Sequence, residues 1–115
     1  MSVKSYTMYP IFAEPPKNIR FVTKDKLSVL EGFEGQTSIL SCVVDSGIPL
    51  ETLRINRNDS EIACGGHGSL NYTLLLQKSD HMSEFICTAM SPMLTNQLIT
   101  SIRIHVNCMY RYIFM

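Results

Sequence analysis

Apolar and polar positions alternate with a period of two through most of the chain, the mark of strands with one face in a core and the other in water. In Ile39-Leu40-Ser41-Cys42-Val43-Val44, residues Leu40, Cys42 and Val44 share a face; in Glu84-Phe85-Ile86-Cys87-Thr88-Ala89, so do Phe85, Cys87 and Ala89. Thr52 to Arg57 alternates strictly, with Leu53 and Ile55 inward, and Ile102 to Asn107 alternates as cleanly. Ile19-Arg20-Phe21-Val22 and Leu27-Ser28-Val29-Leu30 read as short edge strands, with lysines nearby to blunt further pairing. Tyr72 to Leu76 reads as a buried strand, and Glu61-Ile62-Ala63 as a short additional one.

Between these runs lie turn signals: Glu31 to Gln36, Asp45-Ser46-Gly47-Ile48-Pro49, the glycine-rich Cys64 to Gly68, and Ser91 to Asn96. About seven short strands with no helical period predict an all-β fold, a sandwich of two antiparallel sheets. Two of those strands carry an inward cysteine, Cys42 and Cys87, and can be stapled face to face across such a core. In the chain-entropy model a loop of that length contributes about 4 kcal/mol.

Cysteines so spaced, the second within Phe85-Ile86-Cys87-Thr88-Ala89, resemble the immunoglobulin superfamily. Glu34-Gly35 leading to Leu40-Ser41-Cys42 is similar to the family's first hairpin, and Gly47-Ile48-Pro49 to its turn after the first core strand. The resemblance covers roughly residues 17 to 107 and implies an immunoglobulin-like β-sandwich of C2 or I type with minimal middle strands, closed by a Cys42–Cys87 disulfide. The chain departs from the family pattern at Ser38, where an apolar residue is usual, at Ile55, where a core tryptophan is usual, and at Phe85, which lacks the corner tyrosine's hydroxyl. The domain expectation is 1–16 as a linker or the tail of a preceding module, 17–108 as the immunoglobulin-like domain, and 109–115 as a C-terminal stub.

Composition narrows the function classes. Hydrophobic content is 45%, charged content 17% and formal net charge zero, so nothing steers the chain toward nucleic acid or an anionic membrane. Four cysteines in a short chain lean toward an oxidising compartment. They lie about twenty residues apart without a C-x-x-C pair, which argues against a zinc set. Cys64 and His67 form only half a metal site, which His81 and His105 would have to complete, and as a Cys-His pair they lack an orienting group. No catalytic residue, metal or cofactor is predicted. Cys64 and Cys108 are candidates for a second disulfide, for bonds to a neighbouring module, or for free thiols. Asn58-Asp59-Ser60 and Asn71-Tyr72-Thr73 are acceptor sequences for N-glycosylation at Asn58 and Asn71.

Met1 to Pro10 shows no apolar core of an export signal, and Leu98 to Met115 is interrupted by charge. The expectation is therefore a fragment of a longer chain, extracellular or at the cell surface, with membrane attachment only through that parent. The resemblance implies a non-enzymatic module for protein–protein recognition or cell adhesion, homophilic or heterophilic. The alternatives are a module of a secreted immune recognition factor and an intracellular structural repeat. Candidate partner contacts are Met93 and Leu94 in the 91–96 loop and Arg103 and His105 on the closing strand, with the 45–50 turn nearby. Met90, by contrast, is expected to fill the core.

Overall fold

The computed structural model describes residues 12–23 and 29–108. Among them are eight strands: β1 Lys17–Phe21, β2 Val29–Phe33, β3 Thr37–Asp45, β4 Thr52–Arg57, β5 Ser60–Gly65, β6 Ser69–Leu75, β7 Glu84–Met90 and β8 Leu98–Asn107. A one-turn 3-10 helix, Lys78–Asp80, sits between β6 and β7. The strands form a three-stranded sheet in the order β1-β3-β6 and a five-stranded sheet in the order β2-β8-β7-β4-β5. The two sheets face each other as a sandwich.

The period-two pattern decides which residues meet between the sheets. Leu40, Cys42 and Val44 from β3 and Leu74 from β6 meet Leu53 and Ile55 of β4, Phe85, Cys87 and Ala89 of β7, and Ile102, Ile104 and Val106 of β8. Fully burying such side chains stabilises by about 1.5–3 kcal/mol each. Cys42 and Cys87 are joined by a disulfide with Cα atoms 6.4 Å apart. Ile55 lies directly opposite Cys87 in register, a fully buried aliphatic plug at the place where the resembled family usually sets a tryptophan.

Several expectations are corrected. The five-stranded sheet is mixed rather than antiparallel, because β2 pairs in parallel with β8, Val29 opposite Arg103 through Phe33 opposite Asn107. β1 belongs to the three-stranded sheet and β2 to the five-stranded one, where β2 docks on β8 as an edge strand. The middle of the domain is not minimal: β5 is a six-residue strand paired along β4. β6 is not buried on both faces; Leu74 is buried and Leu75 exposed, because its outer side has no second layer. Met90 shares the outer face of β7 with Glu84, Ile86 and Thr88, since the inward places belong to Phe85, Cys87 and Ala89.

Residues just before Lys17 also pack against the sandwich. Glu14 pairs with Ile48 through two backbone hydrogen bonds of 2.9 and 2.8 Å, and Pro16 is fully buried. Gly47 permits this approach: a Cβ there would stand 2.5 Å from the Glu14 carbonyl oxygen and 2.6 Å from the Pro16 nitrogen, too close for any side chain. The remainder of the expected linker, residues 1–11, and the expected stub, 109–115, lie outside the described residues.

Candidate functional site

Three surfaces compete for a functional role. The first is the outer face of the five-stranded sheet, which register places row by row. Cys64, Arg54, Thr88 and Ile99 lie in one row; Asn56, Ile86 and Ser101 lie in the next; Glu84 and Arg103 face each other in a third. Ile99 is 61% exposed and Ile86 sits diagonally from it at 36%. Two ion pairs border this apolar centre. Arg54 Nε lies 2.9 Å from Glu61 Oε1 on one side, and Arg103 Nη2 lies 3.9 Å from Glu84 Oε2 on the other. Both pairs are exposed, so their contribution to stability is small, about 0–1 kcal/mol each. Asn56 Oδ1 is buried in the middle of this face without a hydrogen-bond partner among the described residues.

The second surface is the pole where β3 turns into β4. Glu51 is fully buried there, yet its carboxylate is completely served by donors. The Gly47 N–H donates to Oε1 at 2.9 Å, while the Ser46 hydroxyl and the Gly68 N–H donate to Oε2 at 2.9 and 2.7 Å. Burial pushes the Glu51 pKa up, but these bonds and its own backbone N–H outweigh it and hold the group below the ordinary carboxylate value. His67 Nδ1 bonds the Glu51 carbonyl oxygen at 2.8 Å, so one residue ties the 46–50 turn to the 65–68 turn. The Ile48–Pro49 peptide is cis, and Ile48 and Leu50 are left exposed around it.

The third surface is the opposite pole. Asp80 is buried and caps the 3-10 turn by accepting the Gln77 N–H at 2.8 Å. Its other oxygen lies 2.7 Å from Arg57 Nη2, and the same guanidinium stacks over the Phe85 ring at 5.1 Å. Phe85, lacking the hydroxyl of a corner tyrosine, thus anchors the corner through a cation resting on its face. Beside this corner, His81 and His105 meet edge to face at 4.7 Å, and His81 Nδ1 accepts the Val106 N–H at 3.0 Å.

These positions decide which sequence candidates come together. Arg103 and His105 share the outer face of β8. Met93 and Leu94 are half-buried in the connection between β7 and β8, at the other end of that strand, next to the Glu51 pole. They form no single patch with Arg103 and His105. Cys64 and His67 are likewise at the pole opposite His81 and His105, and among the described residues no group of three or more His, Cys, Asp or Glu could hold a metal ion.

Cys64 and Cys108 do not bridge each other. Cys64 is in the row of Ile99, three strands away from β8, and Cys108 lies nine residues beyond Ile99. At about 3.3 Å per residue that separation far exceeds the roughly 7 Å limit for a disulfide. Asn58 and Asn71 are both exposed, Asn58 at the tip of the β4–β5 hairpin and Asn71 on β6. Sequence reasoning missed the Glu51 buckle, which no local pattern announces. It also missed Ile86 and Ile99 as surface residues, although the alternation already placed Ile86 opposite to Phe85 and Cys87.

A sandwich with this strand order, closed by Cys42–Cys87, has the immunoglobulin-like fold. No family model and no curated protein matches the sequence. Among solved structures, the Rst D1-D2 crystal structure superposes with a TM-score of 0.72 at 16% identity, over 83% of this chain and 51% of that one. A chimeric titin Z1Z2-Z1Z2 tandem matches with a TM-score of 0.64 at 17% identity, over 84% and 52%. The immunoglobulin-like domain of mouse leukocyte-associated immunoglobulin-like receptor 1, solved as a strand-swapped dimer, matches with a TM-score of 0.54 at 12% identity, over 75% and 95%. The chain therefore spans about half the length of the first two.

Proposed function

We propose that this chain is a non-enzymatic, extracellular immunoglobulin-like module that recognises another protein through the outer face of its five-stranded sheet. The observation that carries this reading is the arrangement on that face. Exposed Ile86 and Ile99 form an apolar centre, and the Arg54–Glu61 and Arg103–Glu84 pairs give it a charged rim. Protein interfaces share that plan, an apolar core inside a polar border. The structural neighbours support the reading only at the level of fold. The Cys42–Cys87 disulfide supports an oxidising compartment.

One small face gives modest affinity, so the module works best repeated or clustered, where linkage multiplies weak contacts. The test is therefore multivalent. The chain, secreted and tetramerised, is measured for binding to intact cells and to itself, beside an Ile99→Glu variant. Ile99 lies on an exposed face, so the charge leaves the core intact. Binding that falls at least about tenfold in the variant, with an unchanged melting curve, supports the reading. Equal binding by both forms, or none above a control sandwich, overturns it.

A further inference from the structure

We infer that Asn71 carries an N-linked glycan whose task is to cover the apolar outer face and the open edge of the three-stranded sheet. This inference rests on the extracellular reading above and goes beyond it by assigning a face that partners do not use.

The two sheets end in four edge strands, and three of them carry devices that discourage pairing with another chain. β1 bears Lys17 and Arg20 and has an irregular register between them. β5 bears Glu61 and a register shift against β4. β2 is short and presents Glu31, hydrogen-bonded to Asn107. Charge, bulges and short length are the usual protections of an edge.

β6 has none of them. Ser69-Leu70-Asn71-Tyr72-Thr73-Leu74-Leu75 has no charge, proline or glycine, and it pairs with β3 in unbroken register from Thr37–Leu75 to Val43–Ser69. Its other edge pairs with no strand among the described residues. Seven uncharged residues, three of them leucines beside the β-prone Tyr72 and Thr73, make an open edge suited to self-pairing. The face beside it is apolar too: Val22, Ile39 and Leu75 are exposed by 55%, 58% and 54%.

The glycosylation sequence falls in the middle of this one unprotected strand. Asn71 and Thr73 are two residues apart in a strand, so both side chains stand on the outer face, and both are exposed. The Ser41 hydroxyl donates to Asn71 Oδ1 at 2.7 Å, which orients the amide. Nδ2, the atom a glycan is attached to, makes no hydrogen bond among the described residues. Register puts Asn71 beside Ser41, one row from Thr73 and Ile39 and two from Leu75. A bulky, hydrated sugar rooted there overhangs the patch and the edge together. Where the other three edges use charge or irregular backbone, this one uses carbohydrate.

The test uses the full chain secreted from eukaryotic cells behind an added leader. Peptide mapping reads the two sequons, and sedimentation reads self-association. The wild type is compared with Asn71→Gln, Thr73→Ala, Asn58→Gln, and wild type trimmed with an endoglycosidase in its folded state, which avoids any effect on folding. The expected result is an occupied Asn71 and a self-association at least about tenfold tighter in every form lacking that sugar. Asn58→Gln should behave as wild type, and Leu75→Lys added to Asn71→Gln should restore the weaker association. Forms without the Asn71 sugar that associate no more than wild type overturn the inference. So does a bare Asn71 in a chain with a closed Cys42–Cys87 bond and sugar on Asn58, which leaves the extracellular reading standing. Bare sequons together with reduced cysteines remove both.

Discussion

Glu51 shows what a single residue does here that no pattern in the chain foretells. A carboxylate withdrawn from water is costly unless hydrogen bonds replace the solvent, and three donors from residues 46, 47 and 68 do so. No cation takes part among the hydrogen bonds and ion pairs of the described residues, so this is a buckle made of dipoles, joining two turns and the segment packed on Gly47. Its folded pKa lies below the ordinary value, which fixes the sign of its pH dependence. The charged form is favoured in the folded state, so the stabilisation is present above the ordinary carboxylate pKa. It is lost as pH falls through the lower, folded pKa. Replacing Glu51 by Gln keeps the shape but sets an amide N–H₂ against donors. The expected outcome is a loss of about 1–3 kcal/mol at neutral pH, together with a shallower loss of stability on the acid side. Urea unfolding of both proteins from pH 7 down to pH 3 measures this. Parallel curves across that range would mean that another group governs the acid limb.

At the scale of elements, the strands with clean alternation were legible and their neighbours were not. β3, β4, β7 and β8 each place inward residues two apart, and a core face follows directly from that spacing. Alternation alone starts β8 at Ile102, whereas the strand begins at Leu98, because Thr100 and Ser101 blur the pattern although they hold the ladder to β7. The β4–β5 hairpin was obscured for a different reason. Its turn consists of Asn58 and Asp59 alone, both with positive φ, at 50° and 67°, between the paired residues Arg57 and Ser60. Positive φ at both central residues is what a type I′ turn demands, and glycine suits its second place better than aspartate does. Asn-Gly would have announced the hairpin; Asn-Asp only permits it. Asp59→Gly should therefore stabilise the domain by about 0.5–1 kcal/mol, a rise in melting temperature of roughly 2–8 °C. A calorimetric scan that shows no rise, or a fall, would mean that Asp59 has a contact worth more than the backbone strain it carries. The sequence offers the candidate contact residues only one by one, with nothing to say which of them adjoin. The separation of Met93 and Leu94 from Arg103 and His105 depends on the length of β8, which a sequence reading cut short.

On the scale of the whole molecule the question is how much of the fold depends on one covalent bond. The sandwich holds no tryptophan, and Ile55 and Phe85 occupy places where larger or better-bonded side chains would serve. Its sheets are joined in the middle by Cys42–Cys87, which are 45 residues apart and fully buried. Closing a loop of that size removes about 4 kcal/mol of chain entropy from the unfolded state. A small domain is stable by only about 5–15 kcal/mol in total, so the bond is a large share of it. Packing compensates in part: the Arg57–Asp80 pair over Phe85 and the Glu51 buckle each fasten one pole. The balance decides where the module can work. If the bond dominates, a chain reduced under denaturing conditions and returned to buffer should show no cooperative thermal transition at or above room temperature, and a Cys42→Ala/Cys87→Ala variant should behave in the same way. Near-ultraviolet circular dichroism with scanning calorimetry measures both. That outcome restricts the folded module to oxidising surroundings and strengthens the extracellular reading. A reduced chain that melts cooperatively within a few degrees of the oxidised one would show that packing suffices without the bond. The physical argument for an oxidising compartment would then be lost, and the intracellular structural repeat would become the better account of the same sandwich.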